Sequence, residues 1–321
     1  MAQDPHFTQF YAAPSFLNPA FVGVERNSRV TSIYRNQWSS LDRGFNTYNL
    51  AVDHNISDLH SGVGLSFTMD RQGVSNYKLN QIDLLYSYGI QIHDKWGLKT
   101  GVQFGWAQRS LNEEELIFGN QLDADFGFTG ASSGEFQDLP TRNYLDVGTG
   151  ILLYSKNLWV GATLHHLNRP NQSFFVNGES MVPVKFSLHG LAKFTIVKGE
   201  YTNNKREYFL TPAFNYKIQD QFDQLDVGFY INHQPIVFGL WYRGIPLIKS
   251  ADPRFFNHDA VAILVGYHYQ DYLTLGYSYD LTISKLGPGT AGAHEISFGI
   301  DVDYPKKKEK PKYKYLPCPR F

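Results

Sequence analysis

The chain has 321 residues, a net charge of −1 and a mean hydropathy of −0.33, and no stretch approaches 18 consecutive apolar residues, which excludes a helical membrane span. Its single cysteine, Cys318, excludes intrachain disulfides. Aromatic residues reach 16% (21 Tyr, 24 Phe, 5 Trp) beside 28 Gly and 3 Met. That balance fits a transmembrane β-barrel, where alternate residues meet lipid, and also a secreted β-sandwich. Met1 is followed at once by Ala2-Gln3-Asp4-Pro5, so the numbering reads as a mature sequence, with a secretory signal removed or left out.

Residues 1–28 form the first unit. They hold Pro5, Pro14 and Pro19, the aromatics Phe7, Phe10, Tyr11, Phe16 and Phe21, and no sustained alternation. Proline cannot donate to a ladder, so this is no central strand. Apolar residues are scarce in disordered tails, so an arm this aromatic needs cover. We expect it to fold into a barrel lumen as a plug; a disordered leader is the plainer alternative.

From Arg29 onward the spacing predicts fourteen strands: 29–38, 45–54, 62–71, 78–92, 96–109, 143–154, 158–167, 183–196, 207–217, 222–232, 235–243, 259–269, 272–283 and 293–304. The fifth is the clearest. Trp96, Leu98, Thr100, Val102, Phe104 and Trp106 share one face; Gly97, Lys99, Gly101, Gln103, Gly105 and Arg109 share the other. Other apolar faces are Val63, Leu65, Phe67 and Met69, then Ile82, Leu84, Tyr86, Tyr88, Ile90 and Ile92. The eighth strand shows Val184, Phe186, Leu188, Phe194 and Ile196, and the last Ile296, Phe298, Ile300 and Val302. Opposite these faces lie Asp70, Asp83, Lys99, Asp146, Lys185, His189, Lys193, Asp226, Arg243, Asp280, Glu295 and Asp301. So many ionisable side chains cannot form a dry core; they need water or a polar plug. A wide lumen supplies either.

Loop lengths test this independently. The links after strands 2, 4, 6, 10 and 12 are short, and 110–142, 168–182, 244–258 and 284–292, after strands 5, 7, 11 and 13, are long. Residues 197–206 are a medium exception. An even-stranded barrel with both termini periplasmic sorts its loops this way; a sandwich has no reason to. The expected fold is all-β, a 14-stranded antiparallel transmembrane β-barrel over 29–304 with an N-terminal segment plugging its lumen.

No catalytic or cofactor motif is present, and no enzyme, cofactor or metal is expected. His165 and His166 are adjacent in an extended strand, so their rings should face opposite sides; His189 reads as a lumen-lining hydrogen bonder. The loop 110–142 carries Glu113, Glu114, Glu115, Asp123, Asp125, Glu135 and Asp138 against Arg142, and its spacing matches no cation loop. Its apolar insert, Leu116, Ile117, Phe118, Phe126 and Phe128, reads as an extracellular lid or a docking surface for a secreted partner. The tail 305–321 carries Lys306, Lys307, Lys308, Lys310, Lys312, Lys314 and Arg320 against Glu309, a side-chain charge of +6 that leaves about −7 elsewhere. It reads either as a solvated charge run or as a periplasmic contact for an acidic partner, not as a nucleic-acid site.

Four segments carry a resemblance: Gln3-Asp-Pro-His-Phe-Thr-Gln-Phe with Leu17-Asn-Pro-Ala-Phe-Val-Gly, Gly239-Leu-Trp-Tyr-Arg-Gly, Gly276-Tyr-Ser-Tyr-Asp-Leu-Thr-Ile-Ser-Lys-Leu, and the terminal Cys318-Pro-Arg-Phe. Together they resemble the PorP/SprF family of the type IX secretion system. The resemblance implies a bacterial outer-membrane barrel, in contact with outer-membrane lipid, that serves secretion and gliding motility. It implies partners too: a secreted adhesin with a type B C-terminal domain, periplasmic lipoproteins and an OmpA-like peptidoglycan-binding component. The expected role is export or anchoring of that adhesin and its coupling to the periplasm. A passive porin or small-molecule transporter is the alternative, and a soluble β-sandwich lectin the third possibility.

Overall fold

Alternation sustained over ten or more positions folds most of the chain into long strands. The structure, a computed structural model, describes residues 4–25, 28–40, 44–73, 77–111, 122–123, 127–129, 141–175, 177–197, 208–245, 259–269, 272–283 and 288–302. Its strands are β1 (Ser28–Gln37), β2 (Phe45–Ile56), β3 (Ser61–Gln72), β4 (Tyr77–His93), β5 (Trp96–Ser110), β6 (Arg142–Tyr154) and β7 (Leu158–His165). β8 comes in two pieces, Lys185–Ala192 and Phe194–Val197. Then follow β9 (Tyr208–Gln219), β10 (Phe222–His233), β11 (Ile236–Ile245), β12 (Ala260–Tyr269), β13 (Leu273–Thr282) and β14 (Ala293–Val302).

Each strand pairs antiparallel with its neighbours in sequence, and β14 returns to β1 from Ser28↔Val302 to Gln37↔Ala293. Fifteen strand segments, with β8 counted once, thus make fourteen strands in a closed ring. Closure pairs the backbone along the wall, the condition a sheet must meet to cross hydrocarbon.

The two faces of the wall invert the arrangement of a soluble sheet. Leu84, Phe104 and Leu145 are 62%, 59% and 66% exposed, while Asp83, Asp146 and Glu295 on the opposite face are 4%, 2% and 0% exposed. Among the described residues the other sheet is the two-residue ladder of Leu122–Asp123 with Gly127–Phe128, too small to cover the apolar belt. The sandwich reading therefore fails, and the belt is the surface that lipid covers. An arginine in its middle strips solvation from a charge. Phe104→Arg should cost about 2–4 kcal/mol of stability, measured by urea unfolding in lipid vesicles.

The connections sort as expected. Links 57–60, 94–95, 155–157 and 234–235 lie at the end where β1 begins and β14 ends; 111–141, 166–184, 246–259 and 283–292 lie at the other. Two boundaries differ from expectation. β7 stops at His165 because His166 takes a left-handed backbone (φ 58°), and β8 starts at Lys185 and breaks at Lys193. Between them, 166–184 folds back on itself through an Asn171–Met181 bridge, with Asn171 Nδ2 donating to Gly178 O at 2.9 Å.

Candidate functional site

The buried face of the wall receives residues 4–25. This segment makes one turn of α-helix, α1 (Pro14–Leu17), and a 3-10 turn over Pro19–Phe21. Its backbone therefore leaves many N–H and C=O groups without local partners, and the wall supplies them.

The densest contacts surround Thr8 and Gln9. The Glu295 carboxylate accepts from both backbone amides, Thr8 N at 2.9 Å and Gln9 N at 2.6 Å. Thr8 Oγ1 donates to Asp280 at 2.9 Å and accepts from Arg35 at 2.8 Å and from Arg243. The two guanidiniums bridge the two carboxylates: Arg35–Asp280 2.8 Å, Arg35–Glu295 3.1 Å and Arg243–Asp280 2.9 Å. Two positive and two negative groups, all buried, balance around one threonine, which is how buried charge becomes tolerable. His6 lies beside them. Burial, then the Arg243 and Arg35 charges, holds its imidazole well below its ordinary value, so the neutral ring accepts from Arg243 at 3.1 Å. Gln9 extends the contact, donating to Ser278 Oγ at 3.2 Å and Glu295 O at 3.1 Å and accepting from Ser297 Oγ at 2.6 Å.

Lower in the wall, Asn18 caps the 3-10 turn through Ala20 N (2.8 Å) and donates to Ile151 O (3.1 Å) and His189 Nε2 (3.1 Å). Ser87 Oγ (2.6 Å) and Lys99 Nζ (2.8 Å) both donate to Val22 O, and Gly23 N donates to Asp53, itself paired with Arg29 at 3.0 Å.

The five aromatics of the arm separate into two groups. Phe10 meets Trp241 edge-on at 4.9 Å, Tyr11 meets Tyr230 at 5.1 Å and Phe21 meets Trp159 at 5.0 Å. Phe7 packs on half-buried Phe16 at 5.0 Å. Each such pair adds about 0.5–1.5 kcal/mol to the burial of its rings.

At the long-loop end, Asp4 accepts from His166 at 2.8 Å and Lys185 at 3.1 Å, and His166 bonds Asp146 at 2.9 Å through its other nitrogen. Burial alone would raise the Asp4 carboxyl; the His166 and Lys185 charges outweigh it and hold it well below 3.8. Burial alone would lower His166; the Asp4 and Asp146 carboxylates push it up from 6.5 to about 9. His165 lines the same chamber, with its ring centre 6.3 Å from that of His166. The expectation that these two rings face opposite sides is thus corrected, because the left-handed turn at His166 ends the strand and swings the ring inward.

The sign of the linkage follows. The His166 contribution is complete below pH 6.5 and is lost as pH rises through about 9; the Asp4 contribution is complete above pH 3.8 and is lost as pH falls below it. Proteolysis at the arm should accelerate as pH rises from about 6.5 to about 9, and His166→Gln should flatten that dependence.

Sequence reasoning missed Thr8, Gln9, Asn18, Arg29, Arg35 and Asp53, and the wall aromatics Trp159, Tyr230 and Trp241. One signal was available. Gly62, Gly101, Gly150, Gly161 and Gly276 stand on inward positions where a Cβ would collide with Val22 O, Ala20 N, Asn18 or Gln9. Glycines on a strand's buried parity mark close approach by another backbone. Of the other expected site residues, Leu116, Ile117, Phe118, Phe126, Lys306, Lys307, Lys308, Lys310, Lys312, Lys314 and Arg320 lie outside the described residues. Phe128 pairs with Leu122, itself exposed.

A closed ring of fourteen antiparallel strands, apolar outside and charged within, defines a membrane β-barrel of the outer-membrane kind. The chain belongs to the PorP/SprF family: the model for the type IX secretion system membrane protein PorP/SprF matches residues 1–300. No curated relative matches the sequence. Among solved structures, the CymD monoaromatic hydrocarbon channel is 10% identical with a TM-score of 0.52, covering 91% of this chain and 93% of that one. The Pseudomonas putida toluene transporter TodX is 11% identical with a TM-score of 0.48, covering 89% and 93%. The likeness to CymD, at such identity, speaks for the fold alone.

Proposed function

We propose that this protein is a plugged, non-enzymatic outer-membrane barrel that anchors or helps export a surface adhesin with a type B C-terminal domain and couples it to periplasmic partners. The observation that carries the reading is the built receptor for the arm. Thr8 and Gln9 are gripped by four buried charged side chains while Phe10, Tyr11 and Phe21 rest on wall aromatics. A barrel filled in this way is suited to holding and transmitting contact rather than to passing solutes. Family membership supports partners within the secretion machinery. The long connections at one end suit an exported partner, and the folded-back segment 166–184 offers exposed Phe175 there. Loop 110–142 and the basic tail 305–321 serve as outer and periplasmic contacts, the latter for a lipoprotein or an OmpA-like component.

The test is retention. Cells carrying the barrel without 110–142, or without 305–321, should lose the adhesin from their surface and its co-purification in mild detergent. Full retention with both segments removed would refute those contacts.

A further inference from the structure

The arm closes one half of the outer lumen and leaves a hollow against the other. On the side of β1, β11, β13 and β14, Thr8 is locked to four charged side chains. On the side of β3 to β8, Asp4, Pro5, Ser15 and Phe16 face the wall across a cavity of about 40 Å³, room for about three waters. Arg109, Tyr144 and Lys185 line it and lie within two residues of the long-loop ends of β5, β6 and β8.

Arg109 is the charge this hollow is built around. Two phenols clamp it: Nε donates to Tyr144 Oη at 2.8 Å, Nη1 donates to Tyr77, and the guanidinium carbon lies 5.6 Å from each ring centre. The residue is 9% exposed. Hydroxyls orient a guanidinium without offsetting its charge, and arginine cannot shed its proton. Among the described residues no carboxylate lies within ion-pair distance of it, whereas Lys185 and His166 share Asp4. The two bonds to tyrosine leave Nη2 and one N–H of Nη1, the side-by-side pair that matches a carboxylate.

We propose that this hollow binds one carboxylate group, entering from the outer mouth and held by Nη1 and Nη2 of Arg109. The volume admits the carboxylate and a methyl or methylene, so a longer ligand leaves its remainder toward the long loops. Asp83 and Asp146 flank Gly105, four positions deeper in the wall, and are 4% and 2% exposed. Their negative charge sets the depth of the ligand and favours a monoanion over a divalent one such as sulfate. A short organic acid and the carboxylate of a peptide chain share this chemistry. The contacts proposed above for 110–142 and 305–321 play no part in it, so the two readings fail independently.

The test uses the full chain in lipid nanodiscs, with labelled acetate and acetylated tetraglycine, as acid and as amide, followed by saturation-transfer NMR. Acetate and the peptide acid should compete for one site, and the amide and sulfate should bind at least about tenfold more weakly. A peptide acid tighter than acetate assigns the site to a chain carboxylate; acetate as tight or tighter assigns it to free acids. Arg109→Gln should weaken acetate about tenfold or more, and so should Leu79→Trp, which fills the hollow and keeps Arg109. Migration on unheated gels checks that each barrel is intact. Unchanged affinity in either variant, equal binding of acid and amide, sulfate as tight as acetate, or no binding of either carboxylate would each overturn the proposal.

Discussion

Removal of residues 1–26 should turn a silent barrel into a steadily conducting one. In planar bilayers the intact protein should show no ohmic conductance, and the truncated one should conduct at every voltage tested. The expectation rests on where the arm sits: it contacts β1, β2, β4–β7, β11, β13 and β14, so both sides of the ring are bridged by one segment. Without it, Arg35, Arg243, Asp280 and Glu295 would face water, which solvates them at no folding cost, and the wall itself keeps all its ladders. Gly101→Val should have the same effect without deleting anything, because the added side chain collides with the backbone at Pro19 and Ala20. Steady conductance from the unaltered protein would instead favour a passive transporter and remove the plug from the account.

Arg35→Leu should be the most damaging single change to arm docking. Arg35 bonds Thr8, Glu295 and Asp280 at once, so its loss leaves two buried carboxylates with one guanidinium, Arg243, and otherwise only neutral donors, the Thr8 hydroxyl and the amides of Thr8 and Gln9. Stripping one partner from a buried ion pair costs about 3–5 kcal/mol. That cost falls on the docked state, since an undocked arm lets water reach the carboxylates. The readouts are channel opening and faster proteolysis of the arm, with the barrel still intact by its resistance to unfolding on gels. Arg35→Leu combined with Glu295→Leu should recover part of the loss, because removing both charges takes away the unpaired anion. If Arg35→Leu stays silent and protected, the charged cluster does not hold the arm.

The wall was legible because its information is local. A period of two over ten to seventeen residues, interrupted at turns, names the strands and the face each turns outward; Val63, Ile82, Phe104 and Phe298 needed no neighbour to be read. The parity of long and short connections then named the two ends. The misplaced end of β7 came from one left-handed residue, His166, that no alternation records.

The sequence by itself thus determined the class of fold, the number of strands, the lipid-facing side and, through four short segments, the family. It also showed that charges lie inside, but not how they are neutralised. Tertiary structure alone decided that Thr8 meets Glu295 across 287 positions of chain, that Asn18 meets His189 across 171, and that Trp159, Tyr230 and Trp241 turn inward to meet the arm's rings. The physical reason is that a strand's alternation reports which side a residue faces, whereas its partner on that side is set by barrel closure. Closure brings β1 against β14 and folds the arm back beneath both.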